Sequence, residues 1–207
     1  MNITSHFKSA VFAVQAGVIK LVLFVLKMQE GQDTNHISHG EQQLRAAALG
    51  ILYNLVVSPA YLNMCKAAGA LALLEPIVVE HNLNGHIATI AGMHIVGQDK
   101  DHSLIVFTDR QKNVDNLVTC LQCALKDRPM FGMLWNSSHL VRAIATAALF
   151  EPSRVKMAKL GLDDLLRQVP HKVLYDPTLH EVALQIRRAL RSHIPVNSAT
   201  TSFNDDL

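Results

Sequence analysis

Residues 41–69 read EQQLRAAALGILYNLVVSPAYLNMCKAAG. From Glu41 to Leu55 the apolar side chains return every three or four positions, the spacing of one helix face, and Pro59 cannot continue that helix. A shorter helical run follows from Ser58 and closes at Ala68-Gly69. Glycine has a mechanical reason to stand there, because it takes the left-handed conformation that ends one helix and lets the next leave at a steep angle. The same junction recurs at Ala16-Gly17 and Leu160-Gly161, each time followed by an apolar run, a polar loop and a longer helix dense in alanine. Ile105–Thr108 is the single short strand-like run, and no alternating Val/Ile/Thr segment bounded by hairpin turns occurs, so the pattern predicts an all-α chain.

Composition sets the bounds. Of 207 residues, 49% are apolar and 17% charged, which excludes general disorder. A formal charge of +2 is too weak a field to argue for a nucleic-acid partner, although protonating the eleven His near pH 6 would raise it several-fold. Three cysteines, Cys65, Cys120 and Cys123, are too few for a secreted disulfide framework, so a reducing, cytoplasmic location is expected. Ala10–Leu26 is the one stretch that reads as a membrane span or signal anchor. Its length is at the lower limit for crossing a bilayer, Gln15, Gly17 and Lys20 interrupt it, and no small-residue cleavage site follows, which favours a buried helix pair.

The order Ala48, Leu49, Leu52, Asn54, Leu55, followed by the Ser58–Gly69 run, resembles the armadillo repeat, a three-helix unit of about 40 residues. The resemblance implies a right-handed superhelical α-solenoid of about four units over residues 1–193. They span about 5–57, 58–97, 101–150 and 153–193, with an insertion at Glu30–Gly40 that carries His36 and His39. Residues 194–207 are expected to be a flexible polar tail. In that family the position of Asn54 faces the concave side, where its amide reads the backbone of an extended peptide; a local bond at the helix end is the alternative. The equivalent positions are His94, Leu149 and Ala189, and the family's tryptophan position holds Gly50, Ile90, Ala145 and Gln185. Without the tryptophan and asparagine ladder, the resemblance implies a shallower, more apolar groove than that of the import receptors, suited to a helix or a hydrophobic segment.

Motifs of chemistry are weak beside this. Cys120-Leu121-Gln122-Cys123 lies within a helical run and lacks the strand and helix start that make such a pair redox-active, so structural thiols are expected. His81, His86 and His94 cluster, but the last two stand about two helical turns apart, too far for one metal. No phosphate loop, dinucleotide fingerprint or nucleophile elbow is present. Arg187, Arg188 and Arg191 form a basic surface on the last helix, read as a solvated end cap or a contact for phosphate or an acidic peptide. The N-terminal run that includes Phe12, Val18, Lys20 and Phe24 is apolar nearly all round, and one side of it needs a cover from a second copy, a partner or preceding chain.

The function expected is a non-enzymatic scaffold or adaptor for protein partners, with self-association through the N-terminal face. No metal, cofactor, nucleic acid or small-molecule substrate is expected. Two alternatives remain open: a helical-bundle enzyme using the His-rich stretch His81–His94, and a peripheral membrane adaptor using the Phe12–Leu26 surface.

Overall fold

The computed structural model describes residues 14, 17–29, 38–80, 82–97, 111–172 and 177–192. Phe12, His36, His81, the Ile105–Thr108 run, the expected starts of the first and third units and the 194–207 tail lie outside the described residues. Among the described residues there are ten helices and no β-strand: α1 Val18–Met28, α2 His39–Val56, α3 Pro59–Ala67, α4 Ala70–Leu74, α5 Leu83–Val96, α6 Gln111–Leu125, α7 Ser137–Ala147, α8 Glu151–Lys159, α9 Leu162–Lys172 and α10 Pro177–Arg191. The chain is all-α, as its periodicity predicts.

Local chemistry explains the boundaries. The helix read from Glu41 begins earlier, at His39, because Ser38 and Glu41 form a capping box. The Glu41 N–H donates to Ser38 Oγ at 3.3 Å, and the Ser38 N–H donates to the Glu41 carboxylate at 2.8 Å. Pro59 and Pro152 stand in the first turns of α3 and α8, where a missing N–H costs nothing; α7 has already ended at Ala147, five residues before Pro152. Gly17, Gly69 and Gly161 have φ of 83°, 81° and 73°, the left-handed conformation expected at the three junctions.

The long helices pack in series. α2 lies on α5, α5 on α7 and α7 on α10, while α1, α4, α6 and α9 each cover the long helix that follows them. Helix α5 is the most enclosed: from Gly85 to Val96 every residue except His94 is buried. A helix apolar all round must be covered on all sides, and α2, α3, α4, α6 and α7 do this. Its small residues Gly85, Ala88, Ala91 and Gly92 let those neighbours come close. Two ion pairs tie helices to their surroundings: Arg45 to Glu80 at 2.6 Å, nearly enclosed on both sides, and Lys156 of α8 to Asp115 of α6 at 2.7 Å. Among the described residues no single helix is long and apolar enough to cross a membrane; α2 and α3 reach that composition together but are bent by 120°.

Gly85 tests the enclosure of α5, since a Cβ there would collide with the Glu80 carbonyl, whereas one at Gly40 in the first turn of α2 would meet open space. Denaturant unfolding is expected to show Gly85→Ala destabilised by about 1–3 kcal/mol, the scale of overpacking. Gly40→Ala is expected to gain about 0.5–1 kcal/mol through the lower entropy of its unfolded chain and its helix propensity. A neutral Gly85→Ala would mean that the 75–80 turn does not press on α5.

Candidate functional site

Between α7 and α10 the surface opens into a cleft of about 240 Å³. Helix α10 turns Leu179, Ala183, Ile186 and Leu190 inward, at the three- and four-residue spacing of a helix face. Helix α7 buries Leu140, Val141, Ala143 and Ile144 against its neighbours. The cleft arises where the facing side chains are short, at Ala145 and Ala148 on one wall and Ala189 on the other. Leu149, Val182 and Ile186 make the rest of it apolar, and Arg142, Thr146 and Gln185 add polar groups. Four of the positions selected by third-helix register, Ala145, Leu149, Gln185 and Ala189, thus meet in one cleft.

Leu149 reaches it by a route the sequence pattern does not contain. The expected repeat puts it on a third helix, but α7 stops at Ala147, and Leu149 lies two residues beyond, 43% exposed. Arg154 from the start of α8 explains the early stop, because its Nη1 donates to the carbonyls of Ala148 at 2.8 Å and Leu149 at 2.9 Å. Those oxygens are thereby satisfied without another helical turn.

The positions taken from the first two expected units are placed differently. Gly50 and Asn54 are half-buried on α2. Ile90, proposed for the same concave row, is 1% exposed and belongs to the core of α5, so it presents no surface to a partner. The reason is the all-round cover of α5, which leaves that helix no open side there. His94 is half-buried and engaged within the chain: its Nε2 donates to the His139 carbonyl at 3.0 Å.

His139 belongs to a cluster that sequence reasoning missed. Its Nδ1 lies 2.9 Å from the Tyr53 hydroxyl, and its ring meets those of Tyr53 and His94 edge to face, with centroids 5.6 and 6.1 Å apart. Trp135 adds a second edge contact on Tyr53 at 6.2 Å and donates its indole N–H to the Met130 carbonyl at 3.1 Å. Burial is the main cause that lowers both imidazoles to about 4. For His94 the bond to the His139 carbonyl opposes it, and the charges of His139 and Arg142 add to it; for His139 the charge of Arg142 adds to it. Burial also holds the Tyr53 phenol protonated far above its ordinary range. Nothing in the spacing of residues 53, 94 and 139 signals the cluster; only the stacking of α2, α5 and α7 assembles it.

The remaining candidates separate. His86 is buried and stacks on Phe131, with ring centroids 4.2 Å apart, about two turns along α5 from His94. Among the described residues no three His, Cys, Asp or Glu side chains could hold a metal ion together. Cys120 is buried with its thiol directed at the Met130 sulfur at 3.4 Å, and burial pushes it up to about 12; burial pushes Cys65 up to about 11. Neither is a thiolate nucleophile near neutral pH. On α1, Ile19, Val22, Leu23 and Leu26 face the core and Val18 is half-buried against it, while Lys20 and Phe24 point outward. Leu21, Phe24 and Met28 are each about 60% exposed and share that outer face.

The basic surface is largely paired. Arg187 Nε donates to Asp163 at 2.7 Å, and Arg167 and Arg191 each donate to its other oxygen at 3.1 Å. Burial alone would raise the Asp163 carboxyl, but the three guanidiniums outweigh it and hold it below the usual range. Arg188 is exposed, with the Glu181 carboxylate 3.8 Å away. Thermal unfolding is therefore expected to show Asp163→Ala destabilised by about 1–3 kcal/mol, since Arg187 is left part-buried without its acceptor. Arg188→Ala is expected to stay within about 0.5 kcal/mol. Comparison of the chain with protein-family models, curated proteins and solved structures finds no match.

Proposed function

We propose that the chain is a non-enzymatic protein-binding module, an α-solenoid of the armadillo kind that presents the α7/α10 cleft to a side chain of a protein partner. The observation that carries this reading is the convergence of Ala145, Leu149, Gln185 and Ala189 on one apolar cleft, because register within a repeating unit is what selected them. The serial packing of α2, α5, α7 and α10 supports the solenoid part of the reading, since each unit of a solenoid is covered by its neighbours. A cytoplasmic setting fits three unpaired thiols, two of them buried.

The outer face of α1 supports a second contact. Leu21, Phe24 and Met28 lie at helix spacing beside exposed Lys20 and Lys27, and a row of large apolar groups facing water is usually covered in a working assembly. In this reading the α1 face joins a second copy while the cleft holds the partner.

Two variants separate these contacts. Ala189→Leu fills the cleft at a half-buried position and is expected to keep stability within about 1.5 kcal/mol, while partners recovered by affinity purification and mass spectrometry from wild type are lost. Equal recovery would remove the cleft from the account. Phe24→Glu is expected to turn a self-associating chain monomeric in sedimentation or light scattering. A wild type that stays monomeric at high concentration would remove the α1 face.

A further inference from the structure

Three side chains from three long helices close on one another where α2, α5 and α7 meet: Tyr53, His94 and His139. Two hydrogen bonds join them, and each has a defined direction. A carbonyl can only accept, so His94 carries its proton on Nε2 and donates it to His139. The Tyr53 hydroxyl has His139 Nδ1 as its partner among the described residues, which is satisfied when that nitrogen is bare and the phenol donates. A proton on Nδ1 reverses this bond and leaves the phenol hydrogen, 8% exposed at Tyr53, in search of another acceptor.

The surroundings resist that proton. His139 is the third residue of α7, where the helix start disfavours a cation. Arg142 follows one turn later on the same helix. The groups that face the two rings are Tyr53 from α2 and Arg142 from α7, with Cys120 of α6 behind Tyr53, and on the α10 side Thr178 accepts from Arg142 at 3.5 Å. Among the described residues no carboxylate from α2, α6 or α10 is paired with either imidazole. His94, near the end of α5, has the helix dipole in favour of charge, but burial prevails over it.

We propose that Tyr53, His94 and His139 form an acid-released latch: the neutral imidazoles hold α2, α5 and α7 together, and protonation opens that junction while the helices persist. This stands on the junction itself and is independent of the cleft. Both rings are lowered to about 4 from an ordinary 6.5. Between those values the opened junction binds protons that the closed one does not, so falling pH favours opening, by up to about tenfold per pH unit for each ring. Above about 6.5 the latch is fully closed, and below about 4 no further bias is added.

Trp135, the single tryptophan, sits 5% exposed against Tyr53 and reports on the junction directly. Emission of the full chain is followed from about pH 7.5 to about pH 4, beside far-ultraviolet circular dichroism. The expected result is a shift of Trp135 emission to longer wavelength, centred between the two pKa limits, with most helical signal retained. The His94→Gln, His139→Asn double variant keeps a donor and an acceptor but no titrating ring, and its emission is expected to hold. A flat wild-type spectrum, a double variant that shifts like wild type, or emission and helicity lost together would each overturn the latch. Histidine-selective NMR of the wild type decides the matter even if the variant does not fold. Two of the eleven imidazoles must titrate well below the others, and eleven ordinary titrations would overturn the proposal.

Discussion

The close enclosure of α5 is the constraint on which the remaining architecture depends. Its buried surface runs from Gly85 to Ile95 with little interruption, so a free α5 would expose apolar atoms on every side. Covering it takes α2, α3, α4, α6 and α7 together. That is feasible only because Gly85, Ala88, Ala91 and Gly92 are small enough for backbones to approach. Glu80 is held at this closest point by Arg45 of α2, so the pair joins the α2 helix to the turn that precedes α5. Once α5 is covered, α7 has one side committed, and α10 covers the next.

Polar groups then mark the joints between layers. Arg154 caps the carbonyls where α7 ends, Lys156 ties α8 to α6, and Asp163 gathers three guanidiniums where α9 meets α10. These contacts add directional bonds to an apolar stack whose burial alone is non-directional. The Tyr53, His94 and His139 junction differs in kind, because its bonds are between neutral groups, two of them imidazoles that burial lowers to about 4. The same α7 that carries His139 at its start carries Ala145 toward its end, so one helix connects the junction to the cleft.

Much of the fold is legible in the chain because the signals are local. The left-handed Gly69 and Gly161, the proline stop at Pro59 and the alanine-dense periodicity of α2 each depend on a few neighbouring residues. The Ser38 and Glu41 capping box was equally local and adds two residues to the start of α2. What is not legible depends on tertiary partners. Ile90 and Ala145 occupy matching positions in the expected repeat, yet one is sealed and the other open, because five helices cover α5 whereas α7 faces a gap lined by alanines. The early end of α7 depends on a side chain from the next helix, and the pairing of Tyr53 with His139 spans 86 positions. On α1, periodicity alone could not divide an almost wholly apolar segment into the Ile19, Val22 and Leu26 face that meets the core and the Phe24 face that does not.

Serial cover implies graded stability, since a helix enclosed on all sides opens only when its neighbours do, whereas an end helix opens alone. Native-state hydrogen exchange resolved by helix tests this most directly. The slowest amides are expected in α5 and the adjoining faces of α2 and α7, with protection falling toward α1 on one side and α10 on the other. Uniform protection through all ten helices, or slowest exchange in α1 or α10, would contradict a stack organised around α5.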